Sequence, residues 1–238
     1  MDDEKQPEKI GPDVMAAIMR IADKYRATVS VEEQRAWIEK RQRAAHEEKM
    51  REAFRDPRVG VPQGPGLLAR TLQRGTGKAA QICRELYRYA YGSTPRKTAT
   101  LWLIGPPGTG KTTCAVRLVL HHEARGRGAL YVRASNVPGV RNFASAELYD
   151  RLRRVDLLVV DEIGTEADAK VITALVCERH DHERVTILVG NLLRDACVER
   201  YQLLNDPRVR SRMKQLQLAK MNPVREIKDR DFRTGEAQ

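Results

Sequence analysis

The chain has 238 residues, 41% hydrophobic and 32% charged, with a formal net charge of +11 and a mean hydropathy of −0.55. This length holds one domain of ordinary size and a smaller appendage, and charges break every apolar run before the roughly 18 residues that a membrane helix needs. Cys83, Cys114, Cys177 and Cys197 are scattered without a Cys-x-x-Cys, which argues against zinc and for reduced thiols, and the polar start Met1-Asp2-Asp3-Glu4-Lys5 suggests no signal core, so a cytoplasmic protein is expected.

In chain order, residues 13–26 place Val14, Ile18, Ile21 and Tyr25 on one helical stripe. A second helix is expected from Ser30, where Ser30 and Glu33 have the spacing of a capping box, through Trp37, Ile38 and Met50 toward Phe54. Residues 1–55 therefore read as a small helical, partner-binding region. Residues 56–66 are rich in Pro and Gly and read as a linker, leaving 67–238 as the main domain. From there, helices are expected over 80–91, 112–123, 146–153 and 167–179, alternating with strands over 100–104, 129–134, 156–160 and 185–189. Continuous apolar strands separated by helices predict an α/β fold with a parallel sheet covered on both faces.

The charge is uneven. Residues 1–55 hold 12 basic and 12 acidic side chains, whereas residues 57–98 hold eight Lys and Arg against Glu85 alone. Such an excess suits a phosphate-backbone partner as readily as it suits a solvated helix face.

The segment Gly105-Pro106-Pro107-Gly108-Thr109-Gly110-Lys111-Thr112 matches the P-loop pattern in full, with a strand before it and a helix after it. Glycines let backbone N–H groups face phosphate oxygens at a helix N-terminus. ATP and Mg2+ are the expected ligands, with Lys111 on the β- and γ-phosphates, Thr112 on the metal, and Thr113 completing the loop. Asp161 ends the apolar strand and is the second metal candidate. Glu162 can polarise an attacking water, and Asn191, after the next apolar strand, can orient it. His121, His122, His180 and His182 lie on polar segments without acidic or cysteine partners at ligand spacing and read as solvent-facing. Trp102 reads as core.

This ordered set resembles the AAA+ superfamily, and Asp161-Glu162-Ile163-Gly164, Arg179 and the segment from Thr186 to Leu192 resemble bacterial replicative-helicase loaders of the DnaC/DnaI type and the related IstB transposition ATPases. The resemblance spans residues 75–215. It implies ATP hydrolysis, a homo-oligomer in the ATP state, and a replicative DNA helicase and single-stranded DNA as partners. Arg208-Val209-Arg210-Ser211-Arg212 is similar to the arginine-finger segment of these proteins, which makes Arg212 the finger and Arg208 its companion. Three other readings stay open: a transposition helper of the IstB kind, a nucleotide-gated adaptor with little turnover, and a small-molecule kinase, for which no acceptor pocket is recognisable.

Overall fold

The computed structural model describes residues 16, 20, 30–64, 66–73, 75, 77–92, 99–138, 146–203, 206–211 and 224–227. The stripe of Val14, Ile18, Ile21 and Tyr25 lies outside them. Two compact units divide at His46/Glu47. In the first, Ser30 forms the expected capping box at the start of α1 (Val31–Arg55): its hydroxyl accepts from Glu33 N at 3.1 Å and its N–H donates to Glu33 Oε2 at 2.8 Å. Trp37 and Ile38 on this helix are exposed.

The second unit begins within α1, upstream of the boundary expected at 55/56. Met50 and Phe54 are buried, and so are Val59 and Val61 in the segment expected to be a linker. Pro57–Val59 forms a short 3-10 turn capped by the Asp56 side chain, and Gly60 closes it at φ 77°. Four apolar groups found burial there, and that outweighed the local turn composition.

Among the described residues the sheet is five-stranded and parallel, in the order β2 (Ala129–Arg133), β3 (Leu157–Ile163), β4 (Val185–Gly190), β1 (Ala99–Ile104), β5 (Val224–Glu226). Its side chains alternate between two cores, as period-2 geometry requires. Leu101, Leu103, Val159, Ile187 and Val189 face one layer, formed by the end of α1, α2 (Leu67–Leu72), α3 (Lys78–Tyr91) and α4 (Lys111–Glu123). Trp102, Ile104, Leu158, Val160 and Leu188 face the other, with α5 (Ala146–Arg154), α6 (Ala169–Asp181) and α7 (Arg194–Arg200). Trp102 is fully buried, as expected for core. No described helix is long and apolar enough to cross a membrane.

Two buried polar groups organise the end of the sheet at which the strands begin. Arg179 is fully buried, and its guanidinium donates to Thr186 Oγ1 at 2.9 Å and to the carbonyls of Leu152, Arg153, Val155, Asp156 and Val185. It satisfies the last carbonyls of α5 and joins them to β4, and burial holds its pKa down to about 9. His122 overturns the expectation of a solvent-facing histidine. It is fully buried at the end of α4, 3.3 Å from the Tyr87 hydroxyl through Nδ1, with its ring 4.5 Å from that of Tyr91. The adjacent His121 is half-buried; helical geometry turned one member of the pair inward.

Replacing Arg179 with Met should leave several buried carbonyls without donors and cost about 3 kcal/mol or more in urea unfolding. Burial, then the Arg127 charge, pushes His122 down to about 4 from its ordinary 6.5. The native imidazole is thus neutral where the unfolded chain takes up a proton, so stability falls as pH drops from 6.5 toward 4. Urea midpoints across that window should show the slope, and His122→Phe should flatten it.

Candidate nucleotide site

β1 is buried along its length and ends at Ile104, and α4 begins at Lys111. Between them Gly105, Gly108 and Gly110 take φ values of 130°, 81° and 79°, which side chains rarely adopt. At Gly105 space forbids one as well, because a Cβ would lie 2.4 Å from the Ile227 carbonyl oxygen. Lys111 is 4% exposed, and its ammonium donates to Gly105 O at 2.9 Å, Pro106 O at 2.6 Å and Thr109 Oγ1 at 3.1 Å. The cation is therefore held inside the loop. Thr112 and Thr113 follow on the first turn of α4, half-buried, where the positive end of the helix dipole lies.

Asp161 is 3% exposed near the tip of β3. Its Oδ2 accepts from the Tyr131 hydroxyl at 2.7 Å and its Oδ1 from Glu162 N at 2.7 Å. Burial, and then the charge of Asp161, raises the Tyr131 pKa, so the phenol remains a donor. Tyr131 is a partner that sequence reasoning missed; its strand position reads only as core.

The β3–β4 ladder is regular to Val160↔Leu188 and resumes at Ile163↔Gly190. Asp161 and Glu162 occupy this irregularity, and bulges of this kind re-aim side chains beside sites. Glu162 has φ 57°, a left-handed conformation that a non-glycine residue adopts at a cost. Its half-exposed carboxylate lies 3.6 Å from Arg133 Nε, a pairing that contributes about 0–1 kcal/mol. Asn191 is exposed just beyond β4. Because β4 pairs with both β1 and β3, Asn191 leaves the same sheet edge between the glycine loop and the two carboxylates.

Arg208 is not part of this group. Its guanidinium is exposed, lies 3.4 Å from Asp206 Oδ2, and lines a cavity of about 490 Å3 with Asp168, Lys170 and Arg200. None of the P-loop residues lines that cavity. Arg212 lies outside the described residues.

The residues at the sheet edge fit a magnesium-bound nucleoside triphosphate. The loop supplies glycine turns and a buried ammonium, Thr112 a hydroxyl, and Asp161 a buried carboxylate oriented by two donors. The fold and site together have the arrangement of a P-loop nucleotide-binding domain.

No protein-family model matches the chain. It is 32% identical over 98 residues to the replicative helicase loader DnaC of Escherichia coli strain K12, covering 37% of this chain and 40% of that protein. It is 29% identical over 109 residues to the DnaC of Buchnera aphidicola, covering 41% and 44%. The chain thus spans about two fifths of the length of the curated relatives it matches. A crystal structure of the DnaC helicase loader matches at a TM-score of 0.38 with 22% identity, covering 70% of this chain and 93% of that one. AMPPCP-bound DnaA from Aquifex aeolicus matches at 0.43 with 19% identity, covering 61% and 53%. Over the segment these matches cover, the chain is similar to DnaC.

Lys111→Ala should weaken binding of a fluorescent ATP analogue at least about 100-fold, because a charge-assisted contact to phosphate is lost from a buried position. Unchanged affinity would mean that this loop does not hold the nucleotide.

Proposed function

We propose that this protein is an ATP-binding and ATP-hydrolysing helicase loader for DNA replication, binding a replicative DNA helicase and single-stranded DNA. The observation that carries this reading is the convergence of Lys111, Asp161, Glu162 and Asn191 on one edge of a parallel sheet. The similarity to DnaC supports the replication role.

In this reading, backbone N–H groups from Gly108 to Thr113 and the Lys111 ammonium bind the phosphates, and Gly105, Pro106 and Pro107 shape the loop. Thr112 and Asp161 hold magnesium, which supplies charge neutralisation on the phosphate oxygens. Glu162 takes the proton of the attacking water, and the neutral Asn191 amide orients that water without adding repulsion. Arg212, with Arg208 beside it, acts on the site of a neighbouring subunit, so the ATP state is a homo-oligomer.

The basic excess of residues 57–98 is the surface proposed for single-stranded DNA, and residues 1–46 form the unit proposed to take the helicase. Val31, Trp37 and Ile38 give that unit an exposed apolar surface suited to a protein partner.

Glu162→Gln should retain ATP binding and lower phosphate release by about 100-fold or more, because an amide cannot take the water proton. A full rate in this variant would remove Glu162 from the chemistry. Affinity for a labelled single strand should fall steeply between 50 and 200 mM salt, as counterion release from several phosphates requires (roughly 10³-fold or more for six contacts). Deleting residues 1–46 should abolish capture of the host's replicative helicase while ATP affinity stays within about twofold. Retained capture would move the helicase contact to the ATPase unit.

A further inference from the structure

The backbone at Glu162 is held by a short turn. Thr165 donates to Glu162 O from its N–H at 3.2 Å and from its hydroxyl at 2.7 Å, and Gly164 within the turn has φ 100°. A left-handed conformation at a residue other than glycine, as at Glu162, persists only where surrounding contacts over-determine it. The next residue, Glu166, supplies those contacts. Its side chain is 4% exposed, although it stands on a surface loop.

Glu166 Oε2 accepts from Gly164 N at 2.7 Å. Its Oε1 accepts from Arg200 Nε at 2.9 Å and from the Tyr201 hydroxyl at 2.8 Å, and Arg200 Nη2 also donates to the Glu166 carbonyl at 3.0 Å. One carboxylate thus ties the turn after β3 to the end of α7. Tyr201 is 1% exposed, and its ring lies 4.8 Å from that of Trp102 in β1, the strand that runs into the glycine loop. The cluster therefore joins the loop carrying the two carboxylates to the strand carrying the P-loop, by a route separate from the sheet hydrogen bonds.

A buried carboxylate that served stability alone could sit anywhere in the fold and, with its partner, is often replaceable by apolar groups. This one bonds the N–H two residues beyond the strained Glu162. We propose that Glu166 is a positioning residue for ATP hydrolysis, holding the left-handed turn that aims the Glu162 carboxylate by clamping Gly164 to Arg200 and Tyr201. The proposal rests on the hydrolysis reading above. It assigns Glu166 no contact with substrate; it acts through Glu162.

The test uses the full chain, with steady-state and single-turnover ATP hydrolysis, nucleotide affinity and thermal midpoint measured for each variant. Glu166→Gln preserves volume, but either orientation of its amide turns an N–H toward an existing donor. Its kcat should fall about tenfold with KM and nucleotide affinity within about twofold, since misplacement of a base by less than 1 Å has effects of this order. Tyr201→Phe keeps the ring on Trp102 and removes only the hydroxyl, and kcat should fall about threefold without a lowered thermal midpoint. In a Glu162→Gln background, Glu166→Gln should lower the residual single-turnover rate no further, because both changes act through one carboxylate.

Wild-type kcat in folded Glu166→Gln overturns the proposal, and so does a full additional loss on the Glu162→Gln background. If Glu166→Gln does not fold, Tyr201→Phe decides, and a wild-type kcat there is equally fatal. Absence of turnover in the wild-type protein would overturn the hydrolysis reading and this inference with it, whereas an active wild type with an unimpaired Glu166→Gln overturns this inference alone.

Discussion

Because β4 is hydrogen-bonded between β1 and β3, the segments leaving these three parallel strands must emerge side by side at one edge of the sheet. The glycine loop, the Asp161–Glu162 pair and Asn191 are neighbours for that reason. The spacing is tight. A Cβ on Gly190 would lie 2.5 Å from Ile163 Cγ1 and 2.9 Å from its carbonyl oxygen, so the last residue of β4 has to be glycine for the ladder to resume after the bulge. The bulge in turn sets the directions of Asp161 and Glu162: one points inward to the Tyr131 hydroxyl, the other outward to Arg133. Adjacent carboxylates thereby acquire different surroundings, one buried and hydrogen-bonded, one half in water, which is the separation two roles would require.

Burial of charge divides the polar core into groups with different jobs. Arg179 spends its guanidinium on six acceptors at the end of the sheet where the strands begin, and its resemblance to a loader motif reflects a structural clamp. Lys111 makes its contacts with loop carbonyls and a hydroxyl that belong to its own turn. An ammonium on a flexible stem can exchange such acceptors for phosphate oxygens without rearranging the fold, whereas the Arg179 fork cannot leave its carbonyls without exposing them unpaired. Position relative to the sheet edge, together with the nature of the acceptors, separates a binding cation from a structural one.

The N-terminal helix differs in composition and burial along its length. Its early residues are densely charged, with six acidic and seven basic side chains over Val31–Arg55, and its apolar groups fall in two sets. Trp37 and Ile38 are exposed, with Arg41 5.2 Å over the Trp37 ring, whereas Met50 and Phe54 are buried in the core beside α2 and α3. Charged pairs at helical spacing favour helix in the exposed half, and burial of Met50 and Phe54 stabilises the other.

The parallel sheet, its alternation with helices and the P-loop were legible because apolar strands and a glycine loop between a strand and a helix leave strong local signals. α2, α7 and β5 were not read from the sequence. β5 is three residues long, and only Val224 among them is buried; its strand character comes from pairing with β1, which no local pattern reports. The segment 56–66 was misleading for the converse reason, since its Pro and Gly describe the chain's turns truthfully while Val59 and Val61 fill the core between them. His122 belongs to the same class: a His-His pair on a helix gives no sign of which ring faces in until α3 brings Tyr87 and Tyr91 beside it. Glu166 is the instructive case. In the sequence it is one more acidic residue in a polar loop, and periodicity cannot distinguish it from a solvated one. What makes it matter is the return of the chain 34 residues later with Arg200 and Tyr201. A polar cluster assembled from three elements has no local signature, because each member alone resembles an ordinary surface residue or a core aromatic, and their relation exists only once the sheet has fixed where those elements meet.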